Sequence, residues 1–216
     1  MLCANAGQVQ AGIISAFDRG WYDSNGFHDP TNQNYVATNF GISALGPDRN
    51  FFVFNLDGFS TSETITSASL RLFNPIQNTF FGTYTVYDVS TSIPSLTGGG
   101  FGLVGTYDDL GTGKSYATQA ITSADAGTFV TVNLNAAGLS ALNAARGGTF
   151  ATGGTWSSPR PNSFVFGGNF AGNLNDSSLV YETSAVPEPA SLALSGIGAL
   201  GVGLVARRRV RKVSAM

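Results

Sequence analysis

Two runs set the fold class: Arg49-Asn50-Phe51-Phe52-Val53-Phe54-Asn55-Leu56 and, nine residues on, Ile65-Thr66-Ser67-Ala68-Ser69-Leu70-Arg71-Leu72-Phe73. Residues 50–56 are nearly all apolar, the pattern of a strand covered on both faces. In the second run Ala68, Leu70 and Leu72 face one way while Ser67, Ser69 and Arg71 face the other, the period-2 alternation of a strand with one wet face. Shorter runs bounded by turn residues read as strands at 13–17, 35–39, 83–89, 103–107, 129–134, 163–166 and 179–182. In 129–134, Val130, Val132 and Leu134 are expected inward against Thr131 and Asn133. A helical pattern occurs only at 136–145, with Asn135 placed to cap it and Gly147-Gly148 to end it.

Composition agrees. Charged residues make up 11% of the 216, less than half the usual share of a soluble protein. Glu63, Glu182 and Glu188 are the only glutamates, and Lys114 and Lys212 the only lysines, so helix-surface residues are scarce. The chain instead has 28 Gly, 22 Ser, 20 Thr, 16 Asn and 16 Phe, which favour strands and the turns between them. No internal repeat is visible, which argues against a solenoid or propeller. The expected fold is therefore all-β: a jelly-roll-like antiparallel β-sandwich with one short helix, plus a single C-terminal transmembrane helix.

The charge is divided unevenly. Arg207, Arg208, Arg209, Arg211 and Lys212 crowd one stretch near the C-terminus. Residues 1–186 keep six basic residues against twelve acidic ones, a net of −6. Phosphate binding needs clustered Lys and Arg, so nucleic acid is excluded as a partner of the body.

From 190 to 206 the chain runs for seventeen residues without a charge. As a helix this span measures roughly 25 Å, enough to cross a thin bilayer. Val186, Pro187, Glu188 and Pro189 precede it, and the prolines prevent the helix from extending backward. The basic cluster directly after the span marks the cytoplasmic side and stops transfer, leaving the body outside.

V-P-E-P-A-S at 186–191, a short Gly/Ala/Leu span and then R-R-R-V-R-K resemble the PEP-CTERM sorting signal of bacterial exported proteins. All three parts occur in order over about the last thirty residues. The resemblance implies export, recognition by an exosortase-like membrane transpeptidase, cleavage near Pro187–Pro189, and delivery to the cell surface or extracellular matrix. Export also needs an N-terminal signal. Residues 1–6 lack a basic start and an apolar run, yet Ala4-Asn5-Ala6 has the A-x-A form of a cleavage site. Residues 1–6 are therefore expected to be the remnant of a signal peptide, with the β-sandwich domain at 7–184 and the sorting signal at 185–216. Cys3, the only cysteine, would be lost with the remnant, leaving no disulfide for the body.

Arg49–Leu56 followed by 65–72 is also similar to the DNRLRE-type β-sandwich domain, whose "R-x-φ-φ-x-F-x-L" strand precedes "I-x-S-A-x-L-x-L". That resemblance spans most of 10–184 and implies a fold and an extracellular setting; some relatives bind acidic polysaccharide, for which an acidic body is a poor receptor.

Chemistry in the body is sparse. His28 is the only histidine and sits in a loop-like stretch with no nucleophile-elbow motif, so neither a catalytic triad nor a multi-His metal site is supported. No pair of carboxylates is singled out for glycoside hydrolysis. Asp18, Asp23, Asn25 and Asp29, with Asn32 and Asn34 nearby, offer hard oxygen ligands for a structural calcium, and are equally ordinary turn formers. Trp21, Tyr22 and Trp156 are candidate glycan contacts, or covers over the sandwich core. Asn175-Asp176-Ser177 matches an N-glycosylation acceptor, discounted in a bacterial setting. The function expected is that of an exported, non-enzymatic envelope or matrix protein that contacts polysaccharide. The alternatives are a surface polysaccharide-degrading enzyme and a ligand-free structural matrix subunit. No cofactor beyond the candidate calcium is expected.

Overall fold

Residues Arg49–Asn55 form strand β4, and five consecutive side chains, Asn50 through Phe54, are wholly buried. In a strand, successive side chains point to opposite faces, so β4 must be covered from both sides. A computed structural model describes residues 9–40, 46–59, 63–75, 81–167 and 174–185 and shows how this is done.

Two antiparallel sheets face each other. One orders β1 (Val9–Ser15), β11 (Ser177–Ala185), β5 (Glu63–Asn74) and β8 (Thr128–Asn133). The other orders β2 (Asp18–Tyr22), β4, β9 (Thr149–Ser157), β6 (Gly82–Asp88) and β7 (Ser115–Ile121). A short pair, β3 (Ala37–Thr38) with β10 (Phe164–Val165), is separate. Phe52, Phe54, Tyr84, Val86, Phe150 and Trp156 from the five-stranded sheet meet Leu70, Leu72, Val130, Val132 and Leu179 from the four-stranded one. Burial of this apolar surface is the main favourable term in folding, at roughly 1.5–3 kcal/mol per large side chain.

A second, smaller core lies on the opposite face of the five-stranded sheet. Helices α1 (Ile93–Gly98) and α2 (Val104–Asp109) lay Leu96, Tyr107 and the following Leu110 against Tyr22, Phe51 and Val53. Helix α3 (Ala136–Ala144) packs against β5 and β7, one strand from each sheet. Its N-terminus is capped as its sequence suggests: Asn135 Oδ1 accepts from the amides of Ala137 and Gly138 at 2.9 and 3.0 Å. Residues 8–184 form one compact unit.

Several elements differ from those read in the sequence. The strand expected at 103–107 is helix α2, so the single expected helix is joined by α1 and α2. A short apolar run does not reveal its period; here Leu103, Tyr107 and Leu110 lie at helical spacing and cover the second core, while Val104 stays exposed. Strand β2 replaces part of the polar first loop, and β7 and β9 are additional. β9 carries Gly153 and Gly154, which lower strand propensity but are required for close packing. A Cβ at Gly154 would overlap the Tyr84 hydroxyl and the Asn50 side chain, and one at Gly153 would press on the Leu110 backbone. Residues 1–6 and the span 190–206 lie outside the described residues. Among the described residues no helix is long and apolar enough to cross a membrane.

Two buried polar arrangements hold the core in register. Tyr84 donates to Asn50 Oδ1 at 2.7 Å, and Asn50 Nδ2 donates to the Tyr35 carbonyl at 2.8 Å. Arg19, 1% exposed, lies 4.4 Å over the Tyr35 ring and donates to the Gln33 carbonyl and to Ser177 Oγ, linking β2 to β11 in the facing sheet. Replacing Tyr84→Phe leaves Asn50 Oδ1 without its donor. The expected cost is about 1–3 kcal/mol, read as a lower denaturant midpoint with an unchanged slope.

Candidate functional site

Strand β2 carries the residues on which the sequence reading concentrated. Its pairing with β4 runs Asp18↔Val53, Arg19↔Phe52, Gly20↔Phe51, Trp21↔Asn50 and Tyr22↔Arg49. Alternation sends Trp21 and Tyr22 to opposite faces. Trp21 is half-buried and meets Phe27 edge-on at 6.1 Å; Phe27 in turn lies 4.6 Å from Phe101. Phe101, between glycines at 98–100 and Gly102, is 84% exposed. Trp21, Phe27 and Phe101 thus form one partly exposed aromatic strip.

Tyr22 and Trp156 are not available to a ligand. Tyr22 is wholly buried and donates to the Leu96 carbonyl at 2.8 Å; burial, aided by the charge of Asp18, pushes its hydroxyl up to about 12. Trp156 is buried in the sandwich core, with Nε1 donating to Ser163 Oγ at 2.9 Å. Both correct the glycan assignment made from sequence: the strands that hold these rings also turn them inward. Phe101 was missed there, and its one signal was a large aromatic isolated among glycines.

The acidic residues of this region each organise their own turn. Asp18 Oδ1 accepts from the Arg19 amide at 2.7 Å and from Gln33 Nε2 at 3.2 Å. Asp29 Oδ1 accepts from the Thr31 amide and hydroxyl. Asp23 Oδ1 accepts from the amides of Asn25 and Phe27, both at 2.9 Å, closing a turn with exposed Asn25 near its tip. At a rise of roughly 3.3 Å per residue, the extended β2 puts Asp18 about 16 Å from Asp23. Among the described residues no three His, Cys, Asp or Glu side chains come close enough to hold a metal. The calcium set Asp18, Asp23, Asn25 and Asp29 is therefore corrected, because strand formation pulls its members apart. Asp108 and Asp109 close α2, and Asp109 binds the amides and hydroxyls of Ser90 and Thr91.

Another acid takes their place beside Asp23. Asp23 directly follows, and Asp48 directly precedes, the last ladder pair Tyr22↔Arg49. The two are 2% and 3% exposed. Asp23 Oδ2 is buried and has no hydrogen-bond partner. Asp48 Oδ2 accepts from Thr38 Oγ1 at 3.2 Å, and the Asp48 amide donates to the same hydroxyl at 2.8 Å. Burial, reinforced by the charge of Asp23 and opposed by the Thr38 hydrogen bond, pushes the Asp48 carboxyl up to about 7. The neighbouring Arg49 is turned away: it stacks 4.1 Å over the Tyr107 ring, donates to the carbonyls of Tyr107 and Asp108, and pairs with the Asp108 carboxylate at 3.8 Å.

His28 is a packing residue of the outer core. Its Nδ1 donates to the Trp21 carbonyl at 2.9 Å, and its ring stands edge-on to Phe51 and 4.8 Å from Tyr22. Burial lowers its pKa and keeps the ring neutral. A groove of about 310 Å³ opens elsewhere, lined by Gln10, Ile14, Asn55, Phe59, Glu63 and Tyr181 among others, with Glu63 its one carboxylate.

Comparison with known proteins locates a PEP-CTERM protein-sorting motif at residues 185–209. Val186, Pro187, Glu188, Pro189 and the first arginines of the basic cluster fall inside that match; like Arg211 and Lys212, they lie outside the described residues. The motif marks an exported, membrane-associated surface protein. No curated protein matches the chain. Among solved structures it is similar to the cleaved adhesin domain of Lys-gingipain from Porphyromonas gingivalis, at 12% identity and a TM-score of 0.31, over 84% of this chain and 100% of that one.

Asp48 has a readable pH signature. Its folded-state value lies above the ordinary carboxylate value near 4, so the fold favours the protonated acid. Stability is expected to fall as pH rises from about 4 to about 7 and to level off above. Asp48→Asn removes that decline, gaining up to about 4 kcal/mol over the parent at pH 8 in chelating buffer. Denaturant midpoints against pH for the two proteins check this, since His28 contributes equally to both.

Proposed function

We propose that the chain is an exported, non-enzymatic surface protein, sorted through its C-terminal signal by an exosortase-like membrane transpeptidase. The observation that carries this reading is the sorting motif at 185–209. The charge-free span 190–206 holds the chain in the membrane, and Arg207, Arg208, Arg209, Arg211 and Lys212 keep its end on the cytoplasmic side. Pro187 and Pro189 keep the preceding backbone extended, open to a processing enzyme, with Glu188 as a single charge for recognition. The body is delivered to the cell surface or the extracellular matrix. Its strands pass repeatedly from one sheet to the other, which supports a jelly-roll form; the DNRLRE-type resemblance adds to this for the fold alone.

The body's role in this reading is contact with polysaccharide through Trp21, Phe27 and Phe101, since exposed aromatic faces stack on the apolar faces of sugar rings. Turnover is not part of this reading.

Peptide mass spectrometry of envelope and medium fractions from the native host tests the sorting. A mature C-terminus near Pro187–Ala190, with 207–212 gone, is expected; an intact tail in the membrane fraction overturns the exosortase step. A glycan array probed with the full chain tests the body. Retained polysaccharide, weakened tenfold or more by Trp21→Ala with Phe101→Ala, is expected. A blank array with self-association favours a structural subunit, and shortening of the bound polymer favours an enzyme.

A further inference from the structure

We propose that Asp23 and Asp48 together bind a divalent cation of the calcium type, which clamps the ends of β2 and β4. Like charges directly opposite each other across a strand pair are destabilising, and a buried carboxylate is costly unless it is paired, hydrogen-bonded or bound to a metal. Here both residues are at least 97% buried, both adjoin the last β2–β4 pair, and the charge of Asp23 is felt at Asp48. One oxygen of Asp23 is occupied by the turn it organises, and the other, Oδ2, is buried without a partner.

Among the described residues no side-chain cation neutralises the pair. Arg49 follows Asp48 directly, yet alternation sends it to the other face, where α2 and the Tyr107 ring engage it. His28 is committed to the Trp21 carbonyl. The remaining donors are oxygens: the unpartnered Asp23 Oδ2, the Asp48 carboxylate and the Thr38 hydroxyl on it. An all-oxygen donor set selects hard cations. Magnesium retains several waters in a strict octahedron, whereas calcium accepts irregular protein oxygens, and so dry a position favours calcium. The site differs from the loop set read in the sequence because it takes one ligand from just beyond the end of each of two paired strands. It depends on neither the sorting nor the polysaccharide reading.

The test uses the full chain in mild detergent, stripped with EDTA and titrated with calcium chloride. At a hundredfold excess over the dissociation constant, calcium is expected to raise the melting temperature by roughly 5–10 °C. Terbium is expected to bind one per chain, with luminescence sensitised by nearby aromatic rings. Asp48→Asn abolishes both responses while remaining folded in chelator, whereas Asp18→Asn and Asp29→Asn keep them. Asp23 also holds a turn, so Asp48→Asn is the deciding variant should Asp23→Asn fail to fold. A wild-type protein blind to both ions overturns the proposal. So does a response that survives Asp48→Asn, one lost in Asp29→Asn, or stabilisation by acid with none by calcium, which would mark a pair neutralised by a proton alone.

Discussion

Everything in this molecule depends on covering strand β4 twice. Its side chains alternate between the sandwich interior, where Phe52 and Phe54 face the opposite sheet, and the outside, where Phe51 and Val53 would otherwise meet water. One core is not enough for such a strand. The second sheet covers the first face, and α1 and α2 cover the second with Leu96, Tyr107 and Leu110. The same requirement fixes the neighbours. Gly153 and Gly154 on β9 let Leu110 and Tyr84 come close on opposite faces of one strand, and Gly20 makes room for the His28 and Phe51 rings.

Double coverage leaves the polar groups of these strands little water, so each must find a partner within the protein. Asn50 does so through Tyr84 and the Tyr35 carbonyl, and Arg19 through Gln33, Ser177 and the Tyr35 ring. Both arrangements tie the interior together at places where apolar packing alone would allow slippage. Asp23 and Asp48 stand at the same ladder's end under a harsher condition, since each is an acid and its near neighbour is another. Partly satisfied buried polar groups are costly, and that cost makes the pair chemically informative in a body otherwise poor in charge.

Function is distributed along the chain in the same uneven way. The sorting motif is a continuous stretch of residues whose order alone carries its meaning: prolines, an uncharged span, then arginines. The body instead presents shapes, among them the partly exposed Trp21–Phe27–Phe101 strip. A processing enzyme reads an extended local segment, so such a signal survives without any particular fold behind it. A surface that contacts another molecule does not.

That difference separates what was legible in the residues from what was not. Periodicity and turn chemistry are local, so the sequence by itself determined the antiparallel β-rich class, the double burial of 50–54, the inward Val130, Val132 and Leu134, the Asn135 cap and the sorting motif. Exposure and proximity are not local. Leu103 and Tyr107 read as a strand until the outer face of β4 required a helix there, and Tyr22 and Trp156 read as platforms until their strands turned them inward. Asp23 and Asp48 are 25 residues apart, and only the β2–β4 pairing brings them to the same ladder end. What a side chain is depends on its own atoms; what it faces depends on which distant strand the whole core has brought beside it.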